Sequence, residues 1–261
     1  MSLVQQLESI MKESGISQER GMARNGLALA RVINVNDEEG FNRVQCLPVG
    51  APDNEVTDWC YCMAPMGGKG CGMYFPPQVD DLVVLAYLDD DPHRPVVLGS
   101  IWNTEVTPPF TIKEGKVEDY AIRTPKAIDL TFHDEDEKQT VTLTMPSGTV
   151  LRFDDGEQTV TLQDKDGKNA LKMNFKSGEA ELTSEKKLTL SAGDTSITLE
   201  SSGNLTLQCN GKLSAQGASI EEKAKGQMTL QGATTQVKGD GTLELSGGGS
   251  ASLKGGIVKI N

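Results

Sequence analysis

From about Thr140 to the last residue, the chain repeats one short motif in which threonine alternates with aliphatic residues, broken by Gly, Ser, Asn or Asp. The cores read Val141-Thr142-Leu143, Val160-Thr161-Leu162, Ala180-Glu181-Leu182, Leu188-Thr189-Leu190, Ile197-Thr198-Leu199 and Leu205-Thr206-Leu207, then Met228-Thr229-Leu230, Leu243-Glu244-Leu245 and Val258-Lys259-Ile260. Leu182, Leu190, Leu199 and Leu207 step by roughly eight residues, as do Leu230, Val237, Leu245 and Leu253. Alternation with period two specifies strands that are apolar on one face. A fixed short period specifies a stacked, quasi-one-dimensional structure and not a globular core. Half of this chain therefore reads as a rod, and a rod implies a mechanical role.

Composition agrees. The 261 residues suffice for one large or two ordinary domains. A hydrophobic share of 37% with only 5% aromatic residues is thin for one compact core, but it suits a narrow fibre. The formal net charge of −12 disfavours a phosphate backbone or an anionic membrane as partner. No apolar stretch approaches the ~18–20 residues of a membrane-spanning helix. The N-terminus shows neither a basic start nor a continuous apolar block. That predicts a protein made in the cytoplasm without a signal peptide. Five cysteines, an odd number, fit a reducing compartment better than a disulfide framework.

Four segments follow. Residues 1–22 form an N-terminal segment in which Leu3, Val4, Leu7, Ile10 and Met11 share one helical face, with Gly15 as a stop. A helix this short is marginal alone. It either packs on its own domain or docks a partner, in which case Leu3, Leu7 and Ile10 are the docking residues. Residues 23–103 read as about five strands: Leu27–Val35, Arg43–Pro48, Trp59–Pro65, Asp81–Tyr87 and Pro95–Ile101. Five short strands in ~75 residues predict a small closed barrel such as an OB-fold. Residues 104–125 hold Pro108, Pro109 and Pro125 and read as a linker or neck. Residues 126–261 are the repeat region. Both tryptophans, Trp59 and Trp102, precede the linker, and no proline follows Pro146.

An ordered set of short motifs runs through the barrel segment. Arg31-Val32 is followed by Asp37-Glu38-Glu39-Gly40, Arg43-Val44, Trp59, Gly70-Cys71-Gly72 and Phe75-Pro76-Pro77. Asp80-Asp81-Leu82-Val83-Val84, Asp91-Pro92-His93-Arg94-Pro95-Val96-Val97-Leu98-Gly99-Ser100 and Trp102-Asn103 complete it. This set resembles the OB-fold of phage tail spikes, the family of baseplate assembly protein V and of the spike half of VgrG proteins in type VI secretion. The Thr-Leu repeats and the closing Gly255-Gly256-Ile257-Val258-Lys259-Ile260-Asn261 are similar to the triple-stranded β-helix that this family carries after the barrel. Asp80-Asp81 departs from the Gly-Asp that the family usually has there. The resemblance implies an all-β chain: an N-terminal OB-fold barrel followed by an intertwined trimeric triple-stranded β-helix, with a short N-terminal helix. A partner is also required on physical grounds, because a single chain of short strands leaves pairing edges exposed.

Candidate chemistry is sparse. Cys46, Cys60, Cys62 and Cys71 cluster in the barrel, but their spacing is not the paired spacing of common zinc sites. Half-buried strand cysteines are the favoured reading there, and a small packing residue at Cys209. His93 and His133 form no metal-binding pair, and no histidine follows His133, so the His-x-His iron apex of some spikes is missing. The acidic runs Asp89–Asp91 and Asp134–Glu137 read as solvated loops rather than cation sites. Gly67-Gly68-Lys69-Gly70 lacks the full phosphate-loop spacing. The region around Asp240 is no calcium nonapeptide. About twenty linker residues leave no room for the lysozyme domain that some family members insert. The reading carries no cofactor, no metal and no catalytic residue.

The expected function is the central spike of a contractile tail, whether phage, tailocin or related injection system, that pierces the target envelope mechanically. The expected partners are two further copies of the chain, a baseplate hub protein and a PAAR-type tip protein, with effector cargo as a further candidate. The tip protein is expected at Ile257, Val258, Ile260 and Asn261. Assembly into a tail or injection particle follows. The rivals are a trimeric receptor-binding or adhesin fibre, a nucleic-acid-binding OB protein and an envelope-degrading enzyme. Adhesion usually needs a bulky terminal head, and here the repeats run to the last residue.

Overall fold

The computed structural model describes residues 26–52, 55–112 and 114–260. The expected N-terminal helix, with Leu3, Leu7 and Ile10, lies outside the described residues, as does Asn261. The chain divides into two compact units, Met1–Leu188 and Thr189–Asn261.

The first unit opens with the barrel: β1 (Leu27–Asn34), β2 (Gln45–Pro48), β3 (Tyr61–Cys62), β4 (Gly67–Gly68), β5 (Cys71–Gly72), β6 (Leu82–Tyr87) and β7 (Pro95–Ser100). The main sheet runs β2-β1-β6-β7-β3, antiparallel except for the parallel β3–β7 pair. It closes on itself where Val44 bridges Cys60 and the Thr57 amide donates to the Cys46 carbonyl at 2.9 Å. Closure removes the sheet edges, as the OB reading requires. Alternate residues point inward, and Ala30, Val32, Val44, Cys46, Cys60, Val83, Leu85, Tyr87 and Val97 form the core. The glycine run expected as a loop is a small exposed β4–β5 hairpin.

Two polar turns lock the barrel's strands. Asp37 accepts from the amides of Glu39, Phe41 and Arg43, and its carboxylate takes Arg43 Nε at 2.9 Å and Nη2 at 2.8 Å. The Arg43 guanidinium holds the Asp37 carboxyl far below the usual carboxylate range. The same guanidinium lies over the rings of Phe41, Trp59 and Tyr61 at 5.2, 5.6 and 5.8 Å. Because the folded pKa is depressed, this stabilisation is present above the unfolded carboxyl pKa of about 3.9 and is lost as pH falls toward the folded value. Asp37→Asn is therefore expected to melt several degrees below the parent at pH 7. The gap should narrow below about pH 4, and thermal melts at both pH values read it.

The second turn carries the departure at Asp80. This residue sits at φ 76°, in the left-handed region that glycine tolerates best. Its amide donates to the Val32 carbonyl at 2.9 Å, so the turn is tied to β1. Its carboxylate meets Arg31 Nη1 at 2.9 Å, but both side chains are exposed and such a pair is worth little. Asp80→Gly is expected to raise the barrel's melting midpoint by a few degrees, as relieved backbone strain outweighs the surface pair; calorimetry checks it.

After the barrel the first unit holds a seven-stranded antiparallel meander in chain order. Its strands are β8 (Asp119–Arg123), β9 (Asp129–His133), β10 (Thr140–Thr144), β11 (Val150–Asp154), β12 (Thr159–Gln163), β13 (Ala170–Asn174) and β14 (Glu179–Thr183). Two departures from the sequence reading appear. The segment 104–125, expected to be a linker, ends in a full strand of the sheet. The Thr-Leu cores mark only every second strand here, because β9, β11 and β13 carry Leu130-Thr131-Phe132, Leu151-Arg152-Phe153 and Leu171-Lys172-Met173 in their place. The turns are tight. A Cβ on Gly156 would collide with the Glu137 carbonyl oxygen of the neighbouring turn, so only glycine fits.

The second unit contains the rest of a three-stranded sheet of β15 (Lys187–Ala192), β16 (Thr195–Glu200) and β17 (Leu205–Gln208), whose first strand begins at the unit boundary. Ile197 pairs with Leu207 and Leu199 with Leu205, again on one face. Described residues 209–260 carry no strand and are almost wholly exposed. The strands expected at 228–230, 243–245 and 258–260 are thus not formed within one chain. Four-residue apolar patterns separated by Gly, Lys and Ser have no intrachain neighbour to bond there, and an isolated short strand is not stable in water.

Candidate functional site

The register of the meander aligns side chains across all seven strands. Tyr120, Phe132, Val141, Phe153, Val160, Met173 and Ala180 form one column, in register from strand to strand. Two residues along, Ile122, Leu130, Leu143, Leu151, Leu162, Leu171 and Leu182 form a second. Residues two apart in a strand share a face, so both columns lie on the same side. All fourteen side chains are apolar, and all are half-buried or exposed in the single chain. The residue between them in each strand points the other way: Ala121, Thr131, Thr142, Arg152, Thr161, Lys172 and Glu181. The sheet is therefore oily on one side and polar on the other, with nothing among the described residues of this unit covering the oily side. So large an exposed apolar area marks an interaction surface. At about 1 kcal/mol for each half-exposed side chain, covering it would contribute on the order of 10 kcal/mol per chain.

One end of this face is aromatic. Tyr120, Phe132, Phe153 and Phe175 border an open concavity of about 700 Å³. The other end of β8 packs toward the barrel. A cleft of about 390 Å³ is lined by Phe75, Trp102, Phe110, Ile122 and Arg123, with Arg123 over the Phe110 ring at 4.9 Å. The polar side is fastened by charge pairs. His133 Nδ1 lies 2.7 Å from Asp119 across the β8–β9 pair and its Nε2 3.4 Å from Glu135; these carboxylates raise the His133 pKa.

The sequence-derived candidates sit as follows. Cys46 and Cys60 are buried side by side in the barrel core, where Thr57 Oγ1 accepts from the Cys46 amide at 3.0 Å and lies 3.3 Å from Cys60 Sγ. The hydrogen bond to Cys60, together with burial, pushes the Cys46 thiol well up. Cys62 is half-buried, Cys71 is exposed and Cys209 is half-buried elsewhere. Among the described residues, no group of three or more His, Cys, Asp or Glu is placed to hold a metal ion. His93 is an exposed loop residue, 2.8 Å from Asp58. Ile257 and Ile260, expected to receive a tip protein, are 81% and 90% exposed, and Val258 is also exposed. The residues that sequence reasoning missed are the larger members of the two columns, Phe132, Phe153 and Met173. Their signal was a Leu-x-Phe or Leu-x-Met alternation lying between the Thr-Leu cores.

Residues 28–102 match the family described as the type VI secretion system/phage-baseplate injector OB domain. The barrel belongs to the injector OB-domain family. The match runs from β1 through β7 to Trp102, and it takes in the Asp37–Arg43 turn and the Asp80 turn. The injector OB domain is thus followed, after residues 103–118, by the strand-repeat region, with the two-column apolar face beginning at β8. The match over residues 28–102 supports a structural role related to a baseplate or injector. No curated protein matches the chain. Among the described residues, no helix is long and apolar enough to cross a membrane.

Proposed function

We propose that this chain is the central spike of a contractile injection apparatus, working as a homotrimer that pierces the target envelope mechanically. One observation carries the reading: two unbroken apolar columns run the whole length of a sheet that follows an injector OB domain. Three copies placed around one axis bury those columns against each other and leave the threonine, lysine and glutamate face in water. Residues 209–260 then find their strand partners in neighbouring copies, as an intertwined triple-stranded β-helix. Each layer opens only if three chains open together, which gives a stiff, slowly unfolding shaft.

The injector OB domains would form a collar on a separate baseplate hub protein. A PAAR-type tip protein would cap the far end through Ile257, Val258, Ile260 and Asn261, with effector cargo carried there as well. Pulling down the tip protein with a chain lacking residues 255–261 would refute that attachment. No side chain is assigned a catalytic role in this reading. The test of the whole is absolute mass by light scattering beside an unboiled SDS gel. Three chains of 28.0 kDa give about 84 kDa, and a band of that size surviving in SDS is the expected result. A monomer would refute the spike.

A further inference from the structure

The barrel closes along a seam between the chain around Val44–Cys46 and the segment 57–60. Among the described residues, three backbone hydrogen bonds hold it. The Val44 amide donates to the Cys60 carbonyl at 3.0 Å, the Cys60 amide to the Val44 carbonyl at 2.8 Å, and the Thr57 amide to the Cys46 carbonyl at 2.9 Å. Cys46 and Cys60 stand on opposite sides of this seam. Both point into the core, both are wholly buried, and their sulfurs lie within hydrogen-bond reach of each other. Thr57, a buried polar residue, touches both. Its Oγ1 accepts from the Cys46 amide at 3.0 Å, which leaves the hydroxyl proton to point at Cys60 Sγ, 3.3 Å away. Cys62 does not compete for Cys60. Residues two apart on one strand are separated by about 6.7 Å with parallel side chains, against the ~3.8 Å between the β-carbons of a disulfide.

We propose that Cys46 and Cys60 are a redox pair, which a peroxide oxidises to a disulfide that staples the barrel seam. Hydrogen bonds from Cys46 and Thr57 to Cys60 Sγ lower the Cys60 pKa, while the same contact and burial hold Cys46 as a thiol. Cys60 is therefore the nucleophile and Cys46 the resolving thiol. The Cys60 thiolate attacks one oxygen of hydrogen peroxide and the O–O bond breaks. Hydroxide leaves, takes up the proton that Cys60 gave, and departs as water, and Cys60 is left as a sulfenic acid. Cys46 Sγ then attacks the Cys60 sulfur, the S–O bond breaks, and a second water leaves with the Cys46 proton. Two thiols and one hydrogen peroxide thus give one disulfide and two waters. Because both sulfurs are buried, the reaction proceeds through local opening of the seam, and an oxidant little larger than water suffices. The staple joins residues fourteen positions apart and takes freedom from the unfolded barrel. The barrel is then firmer where peroxide is present than where thiols prevail, however many copies assemble.

Peroxide treatment of the full chain tests this, with Cys71→Ser and Cys209→Ser removing the thiols outside the barrel core. Trypsin and chymotrypsin, cutting after Arg43, Trp59 and Tyr61, place Cys46, Cys60 and Cys62 on separate peptides. The expected product is a link between the Cys46 and Cys60 peptides that dithiothreitol cleaves, with Cys62 still open to alkylation. The barrel's melting midpoint should rise by roughly 10 °C and fall back on reduction. Dithiothreitol does not reverse methionine oxidation, so the reversible part of the shift belongs to the disulfide. Cys46→Ala, treated alike, should show no reversible shift. A link through Cys62, a Cys60 that stops at sulfinic acid, no link after overnight exposure to excess peroxide, or a midpoint that reduction leaves unchanged would each overturn the proposal.

Discussion

Leu162→Asp is expected to abolish assembly. Leu162 sits mid-column between Leu151 and Leu171 on the apolar face of the meander, and it is 45% exposed in the single chain. If three copies close around that face, the substitution places three carboxylates in one dry layer. Each buried ion costs several kcal/mol after relaxation, so three cost roughly 10 kcal/mol or more, comparable to the whole gain from covering the face. The mass should fall from about 84 kDa, three times 28.0 kDa, to that of one chain or to aggregate, and the SDS-resistant band should disappear. Thr161→Asp, one residue away on the polar face, is the control. A surface change of that kind lies within about 0.5 kcal/mol, and assembly should be unaffected. Retention of the full mass by Leu162→Asp would show that the columns are not the interface.

Leu85→Ala is expected to unfold the injector OB domain at a much lower temperature while sparing the strand-repeat region. Leu85 is wholly buried, and it is among the largest fully buried side chains of the barrel core among the described residues. Removing it takes away transfer free energy and leaves a cavity, together about 3 kcal/mol. In a domain of this size that lowers the midpoint by roughly 10–20 °C. Scanning calorimetry should show the barrel transition moving down while that of the seven-stranded sheet stays in place, because β8 to β14 share no core residue with Leu85. A common shift of both transitions would mean that the two regions unfold as one unit.

Much of the architecture was legible from residue order. The long barrel strands β1, β6 and β7 announced themselves because each is rich in Val, Leu, Ile and Ala and is bounded by Gly, Pro, Asn or Asp. The Thr-Leu cores marked β10, β12, β14, β15, β16 and β17, since period-two alternation is a local property. The intervening strands β8, β9, β11 and β13 were harder. β11 and β13 alternate as well, but with Arg152 and Lys172 standing where the recurring motif has threonine, so they do not repeat the Thr-Leu pattern. The proline-rich stretch before Asp119 masked β8: its strand character comes from pairing with β9, not from its own composition.

By itself the sequence determined the all-β class, the injector OB domain through its ordered motifs, and the period of the repeats. These follow from local propensity and from spacing along one chain. The tertiary structure alone decided which residues stand side by side. Only the strand register turns scattered Leu, Phe, Val and Met residues into two unbroken columns, because pairing joins residues that stand seven to thirteen positions apart in the chain. A one-residue slip in that register would have sent half of them to the polar side. The same dependence explains residues 209–260, where the apolar period is written in the chain but no strand forms, since a strand needs a neighbour to bond to and one chain supplies none there.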